Sequence, residues 1–260
     1  MRIPYFEIAA FTARPFAGNP AGVCLLADWI GDEQMQAIAA ENNLAETAFL
    51  VARDGYFDLR WMTPKVEVDL CGHATLASAH VLFQHRGYGE AVVHFQTQSG
   101  ELRVERDGDK LVLDFPSLPA GPIARADDLS AALGAVPEQI LHGRDYIAIF
   151  ASQKEVAAIQ PDLALVARLA AQGVVVTAPG DDCDFVSRYF APAAGIPEDP
   201  VTGSTHCSLI PYWSQRLGKK ELFARQISAR GGELFCRDRG DRVSIGGEAV
   251  TYVAGEIQLA

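Results

Sequence analysis

The chain is short of several things, and each shortage removes a class of function. Lys and Arg number 22 against 33 Asp and Glu, a formal charge of −11. A nucleic-acid surface needs the opposite balance. No apolar run approaches the roughly 18–20 residues of a membrane-spanning helix. The cysteines are sparse and odd in number (Cys24, Cys71, Cys183, Cys207, Cys236). No two of them form a Cys-x-x-Cys pair, so neither a disulfide framework nor a thiol metal knuckle is indicated. The six histidines lack the spacing of a zinc site. Gly18-Asn19-Pro20-Ala21-Gly22 has no lysine and is no phosphate loop, and no Gly-x-Ser-x-Gly elbow is present. Arg2, Glu7 and Arg14 break the first apolar run, which does not read as a signal peptide. The expectation is a soluble cytoplasmic protein with no metal, no cofactor, and neither nucleic acid nor membrane as partner.

What the chain does have is a repeat. Its 260 residues, 49% of them hydrophobic, suffice for one large domain or two modest ones. Arg60-Trp61-Met62-Thr63-Pro64 returns as Arg188-Tyr189-Phe190-Ala191-Pro192, an offset of 128. The same offset sets Met35–Ala40 beside Leu163–Arg168 and Ala45–Ala52 beside Gly173–Gly180. Further along, Gly72 matches Gly203 and Gly87 matches Gly218, an offset of 131. Gly100-Glu101-Leu102 then resembles Gly232-Glu233-Leu234. The matches keep one order, and loop insertions account for the drift. Two homologous lobes are expected, 1–116 and 117–260, joined through Pro116, Pro119 and Pro122, with the last strand able to pack back on the first lobe.

Short runs rich in β-branched and aromatic residues (Tyr5–Phe11, Ala48–Ala52, Phe57–Met62, Ala91–Gln96, Leu102–Arg106, Lys110–Phe115) read as strands. Asp32–Glu41 reads as an amphipathic helix with an acidic start. Ala74–His85 carries so little charge that it reads as a buried helix, and Ser204–Leu217 is its counterpart. Each lobe is therefore expected to wrap a mostly antiparallel sheet around one central helix.

The chemistry is expected where those two helices begin, at Leu70-Cys71-Gly72-His73-Ala74 and at Pro200-Val201-Thr202-Gly203-Ser204. A helix N-terminus offers unpaired N–H groups and partial positive charge, which suit a carboxylate. Pseudo-twofold pairing of the lobes would set the two starts across a cleft. Glu46 sits in an apolar strand entry where its repeat mate is Val174. A carboxylate there is costly unless it is paired or used, and burial would raise its pKa toward acid/base use. His73 and Asp199 could polarise a carbonyl or carry a proton. Plainer readings stand beside these: an exposed strand-end glutamate, a solvated His–Asp pair, and Ser204 as a helix cap. Cys71 is a further candidate nucleophile or base.

Five strings run in the order of the phenazine-biosynthesis PhzF-like isomerases. They are Gly18-Asn19-Pro20-Ala21-Gly22-Val23, Asn43-Leu44-Ala45-Glu46-Thr47-Ala48-Phe49, Leu70-Cys71-Gly72-His73-Ala74-Thr75, Glu198-Asp199-Pro200-Val201-Thr202-Gly203-Ser204 and Ser228-Ala229-Arg230-Gly231-Gly232. The chain resembles that family over essentially its whole length. The resemblance implies an α+β, diaminopimelate-epimerase-like fold of two pseudo-symmetric lobes, each a curved, mostly antiparallel sheet around a central helix. It implies Glu46 as the proton-shuttling acid/base, with His73 and Asp199 orienting substrate and assisting. It also implies Ser204 with the backbone of Gly72 and Gly203 as the carboxylate site, Asn19 as a substrate contact, and a homodimer. Related epimerases use two cysteines, one opening each helix turn. Here Cys71 stands near the first position, and Pro200 to Ser204 offers no second thiol.

The resulting expectation is a cofactor-independent isomerase that moves a proton between carbons of a small carboxylate. Two alternatives remain at this point: an amino-acid racemase or epimerase using Cys71, and a non-catalytic small-metabolite-binding protein.

Overall fold

The computed structural model describes residues 1–124 and 126–259. The chain divides into two units, one of Met1–Asp114 with the segment from Gly246 onward, the other of Phe115–Ile245.

In the first unit the order is β1 (Arg2–Ala10), β2 (Asn19–Leu26), α1 (Asp32–Asn42), β3 (Glu46–Ala52), β4 (Phe57–Met62), β5 (Glu67–Val68), α2 (Gly72–His85), β6 (Val92–Thr97), β7 (Gly100–Asp107) and β8 (Lys110–Pro116). The second unit runs β9 (Gly121–Ile123), α3 (Asp127–Leu133), β10 (Gln139–His142), β11 (Tyr146–Ile149), α4 (Gln153–Ala158), α5 (Leu163–Val166), β12 (Val174–Pro179), β13 (Phe185–Ala191), β14 (Ile196–Asp199), α6 (Gly203–Leu217), β15 (Glu221–Gln226), β16 (Gly232–Asp238) and β17 (Arg242–Gly247). The last strand, β18 (Ala249–Gln258), returns to the first unit and pairs antiparallel with β1.

The repeat in the sequence is a repeat of strand pairings. β2 and β3 are parallel, as are β11 and β12. β3 and β4 are antiparallel, as are β12 and β13. β4 then pairs in parallel with β6 across the central helix, and β13 pairs likewise with β15. Phe57 opens the first of these ladders and Phe185, its repeat mate, opens the second. The likeness reaches individual contacts. Arg60 forks onto Glu67 with Nε···Oε1 2.7 Å and Nη2···Oε2 2.8 Å. Arg188 forks onto Glu198 with 2.8 and 3.1 Å. Each pair ties the strand before a helix-start loop to the strand beside it, in the bidentate geometry that suits guanidinium and carboxylate.

α2 is the core of its unit. Its Leu76, Ala77, Val81 and Leu82 are at most 2% exposed, and it packs against β1, β2, β3, β7 and β18. Each large aliphatic side chain so buried contributes about 1.5–3 kcal/mol. Helix α6 buries Leu209, Ile210 and Trp213 and packs against β15 and β16. It also contains Pro211, which has no N–H to give the carbonyl of Cys207 four residues back. The N–H of Leu118 takes that place at 2.9 Å.

β2 lies outside the strands expected from sequence, because Pro20 and Gly22 disguise it. Pro20 stands opposite Ala9 near the start of the strand. A Cβ on Gly22 would stand 2.9 Å from Thr47 Oγ1, so only glycine lets β2 approach β3 this closely. Gly18 enters β2 at φ +66°, and a Cβ there would lie 2.2 Å from the carbonyl oxygen of Ala10. That turn delivers Asn19 to the interior, where it has no exposed surface. Leu163–Arg168 shortens to the single turn of α5. No helix among the described residues is long and apolar enough to cross a membrane.

Candidate active site

In the first unit four predicted or weighed residues converge on the start of α2. Helix α1 ends on Asn43 in the left-handed region (φ 50°), which turns the chain toward β3. Asn42 Nδ2 then donates to Thr47 Oγ1 at 3.1 Å. Between these anchors Glu46 begins β3, opposite Ala21 of β2. Its side chain is 12% exposed, so it is not a free strand end.

His73, in the first turn of α2, is 5% exposed. Its Nε2 lies 3.3 Å from Glu46 Oε2. The two atoms are close without being aligned as a hydrogen bond. On the other side of the ring, Asn19 Nδ2 and His73 Nδ1 are 3.3 Å apart. With the Asn19 amide placed Nδ2 toward the ring, Nδ1 accepts and the proton of the neutral ring sits on Nε2, facing Glu46. Burial pushes the His73 ring down to about 3, which keeps it neutral at physiological pH.

Cys71 is the N-cap residue of α2, and its Sγ is 3.4 Å from His73 Nδ1. Ligand atoms of Glu46, Cys71 and His73 all lie within 4.8 Å of one another. Histidine spacing along the chain could not show this cluster, since the tertiary fold assembles it. A sulfur, nitrogen and oxygen donor set suits a borderline-soft divalent cation, and the same atoms are equally a proton-transfer group. Gly72 opens the helix between Cys71 and His73.

The second unit builds a different set around the start of α6. Asp199 ends β14 at 7% exposure. Thr202, the repeat mate of Cys71, is the N-cap of α6, so an oxygen stands at the repeat position of the sulfur. Gly203 and Ser204 form the first turn. Ser204 is thus inside the helix and does not cap it. Thr202 Oγ1 donates to Asp199 Oδ2. Gln226, at the end of β15, donates from Nε2 to the Asp199 carbonyl at 2.8 Å and to Thr202 Oγ1 at 3.1 Å. The Thr202 N–H donates back to Gln226 Oε1 at 2.9 Å. His206 Nδ1 lies 2.7 Å from the Thr202 carbonyl oxygen, and burial pushes that ring down to about 4. Ser228 Oγ reaches the Pro200 carbonyl at 2.8 Å and accepts from Gly231 N–H at 3.1 Å. The Ser228–Gly232 string therefore braces the loop that carries Asp199.

Sequence reasoning missed Gln226, Thr202 and His206. Thr202 and His206 lie beside named residues, whereas Gln226 gives no local signal at all.

Known proteins match this chain along its length. The profile of the phenazine biosynthesis-like protein family, PhzC-PhzF, matches residues 8–255. An uncharacterised isomerase of Pseudomonas aeruginosa is 51% identical over 259 residues, covering 100% of both chains. The human phenazine biosynthesis-like domain-containing protein is 42% identical over 286 residues, covering 99% of each. A PhzF-family crystal structure from Enterococcus faecalis superposes with a TM-score of 0.98 at 45% identity, over 100% of both chains. A hydroxyproline epimerase from Agrobacterium vitis shares the fold, with a TM-score of 0.62 at 12% identity and coverage of 98% and 92%.

Proposed function

The chain belongs to the phenazine biosynthesis-like PhzC-PhzF family and is an isomerase of diaminopimelate-epimerase-like fold. From that premise we propose that it moves a proton between two carbons of a small carboxylate substrate by acid/base catalysis, without a cofactor. Glu46 is the acid/base. As carboxylate it removes a proton from a carbon next to the activated system, leaving Glu46 protonated and the substrate as a dienolate. The same carboxylic acid then returns the proton to the second carbon, so atoms and charge balance over the cycle.

The observation that carries this reading is the 3.3 Å approach of Glu46 Oε2 to Nε2 of a buried, neutral His73. A neutral Nε2–H can donate to developing negative charge without contributing a full positive charge of its own. Asn19 holds the ring in that tautomer. In the second unit, Asp199 is assigned to substrate orientation. Ser204 and the backbone N–H groups of the first turn, Gly203 among them, are assigned to the substrate carboxylate. Gly72 has the corresponding assignment at α2. A homodimer and a cytoplasmic location complete the proposal.

One observation favours a second reading. Cys71, the N-cap residue of α2, has its sulfur 3.4 Å from His73, so a one-thiol racemase or epimerase is a second reading of the same residues. Incubation in D2O with β,γ-unsaturated carboxylates and with single-enantiomer amino acids separates the two. Isomerised alkene, with the migrated proton retained or with deuterium at the new carbon to the extent that the Glu46 acid exchanges with solvent, supports the proposal. Deuterium confined to an amino-acid α-carbon supports the thiol reading, and neither isomerised alkene nor a labelled α-carbon refutes both.

A further inference from the structure

Gln226 is 1% exposed, and its amide can lie in only one sense. The backbone N–H of Thr202 must find an acceptor, and Gln226 Oε1 supplies it at 2.9 Å. Flipping the amide would set N–H against N–H there and oxygen against the Asp199 carbonyl on the other side. Both hydrogens of Nε2 are thereby committed, one to the Asp199 carbonyl oxygen and one to Thr202 Oγ1. A hydroxyl has a single hydrogen. Having accepted from Gln226, Thr202 must give that hydrogen to Asp199 Oδ2, its remaining near partner.

The hydroxyl is itself immobile. The Thr202 carbonyl oxygen accepts from Thr205 Oγ1 at 3.0 Å and is 2.7 Å from His206 Nδ1. Gln226, accepting from the N–H and donating to the hydroxyl, and Thr205 with His206 at the carbonyl therefore pin Thr202. In the repeat, the sulfur of the N-cap Cys71 stands 3.4 Å from His73 Nδ1.

We propose that Gln226 and Thr202 are positioning residues for Asp199: the amide orients the hydroxyl, and the hydroxyl holds the carboxylate in one rotamer. This deepens the functional reading above and rests on Asp199 being a working group there. A hydrogen bond from an oriented hydroxyl to a carboxylate is of the charge-assisted class, short and roughly twice as strong as a neutral one.

The first arm of the test needs no identified substrate. In protein labelled with 13C at the aspartate carboxyl carbons, the buried Thr202 hydroxyl proton gives a downfield, slowly exchanging resonance correlated with the Asp199 carboxyl. Wild type and Thr202→Ser show it, and Thr202→Val, of nearly the same shape, loses it and shifts the Asp199 carboxyl line. Gln226→Met, which removes both amide partners, loses or displaces it. Where Gln226→Met does not fold, the Val and Ser pair at 202 carries the test alone. In turnover, Thr202→Val lowers kcat about 10–100-fold with little change in KM, the loss of one charge-assisted bond, and Thr202→Ser recovers it. Absence of the correlation in wild type, or its survival unchanged in Gln226→Met, overturns the proposal. Turnover unimpaired in Asp199→Asn would instead remove Asp199 from the chemistry while leaving the hydrogen-bond assignment standing, so the two ideas fail separately.

Discussion

Glu46 and His73 approach within 3.3 Å, carboxylate oxygen to imidazole Nε2, in a region where the ring is 5% exposed. Burial keeps the ring neutral there, and which of its nitrogens carries the proton is set by what the far side of the ring touches. Asn19, delivered by the Gly18 turn, is that contact.

Asn19→Ala therefore releases the tautomer without touching Glu46. The expected result is a fall in turnover of about 10-fold or more, with His73→Gln falling further, toward the 10²–10⁴-fold range of a lost general acid/base partner. Steady-state kinetics on the alkene isomerisation, with melting temperatures in parallel, separates this from simple unfolding. Wild-type turnover in Asn19→Ala would show that the tautomer is set elsewhere.

Cys71→Ala should leave isomer formation within the same order of magnitude, because Cys71 Sγ meets the ring at Nδ1, 3.4 Å away, while Glu46 meets it at Nε2. Isomer formation followed by proton NMR reads this directly. A loss as large as that for His73→Gln would move the chemistry to the sulfur.

Stability should depend on pH through the buried imidazoles. His73 and His206 titrate near 3 and 4 when folded, against 6.5 as the ordinary value. Their folded pKa values are lowered, so the unfolded chain binds the extra protons. The native state keeps their full contribution above pH 6.5 and loses it as pH falls toward 4. For two such groups the slope reaches at most about 3 kcal/mol per pH unit. Urea midpoints from pH 7 to 4.5 should fall accordingly, and His206→Gln should flatten the curve. Midpoints independent of pH over that range would mean that these rings are protonated in the folded state.

The two Arg–Glu forks should differ in worth. Arg188 is 11% exposed and also donates to the carbonyls of Val156 and Ile159 at 3.1 and 2.8 Å. Arg60 is 22% exposed, and its extra partner is the exposed Asp32. Arg188→Met is expected to cost about 2–3 kcal/mol and Arg60→Met about 1 kcal/mol, since losing partners strands more buried acceptors at Arg188. Denaturant unfolding of both variants checks the order, and an equal cost would contradict it.

Much of this architecture is legible in the chain. Arg60 and Arg188 mark the repeat because each must hold a glutamate on the neighbouring strand. The all-round apolar character of Ala74–His85 reflects burial against five strands. Asn19, Glu46 and His73 sit in strings specific enough to name. What stays hidden depends on tertiary approach. β2 reads as a loop because Pro20 and Gly22 break a strand pattern, and the need for glycine there shows only when Thr47 stands beside it. Gln226 is far from Thr202 in the chain, in a strand end of ordinary composition, and only its burial and three hydrogen bonds give it meaning.

The central claim is that Glu46 carries the proton. Glu46→Gln keeps the side chain's shape and removes its ability to take and return one. In D2O, with a β,γ-unsaturated carboxylate that the wild type isomerises, the variant should fold with a near-normal melting temperature. It should lose isomer formation, and with it any deuterium uptake, by about 10²-fold or more. Isomer formation at the wild-type rate in Glu46→Gln would contradict the account.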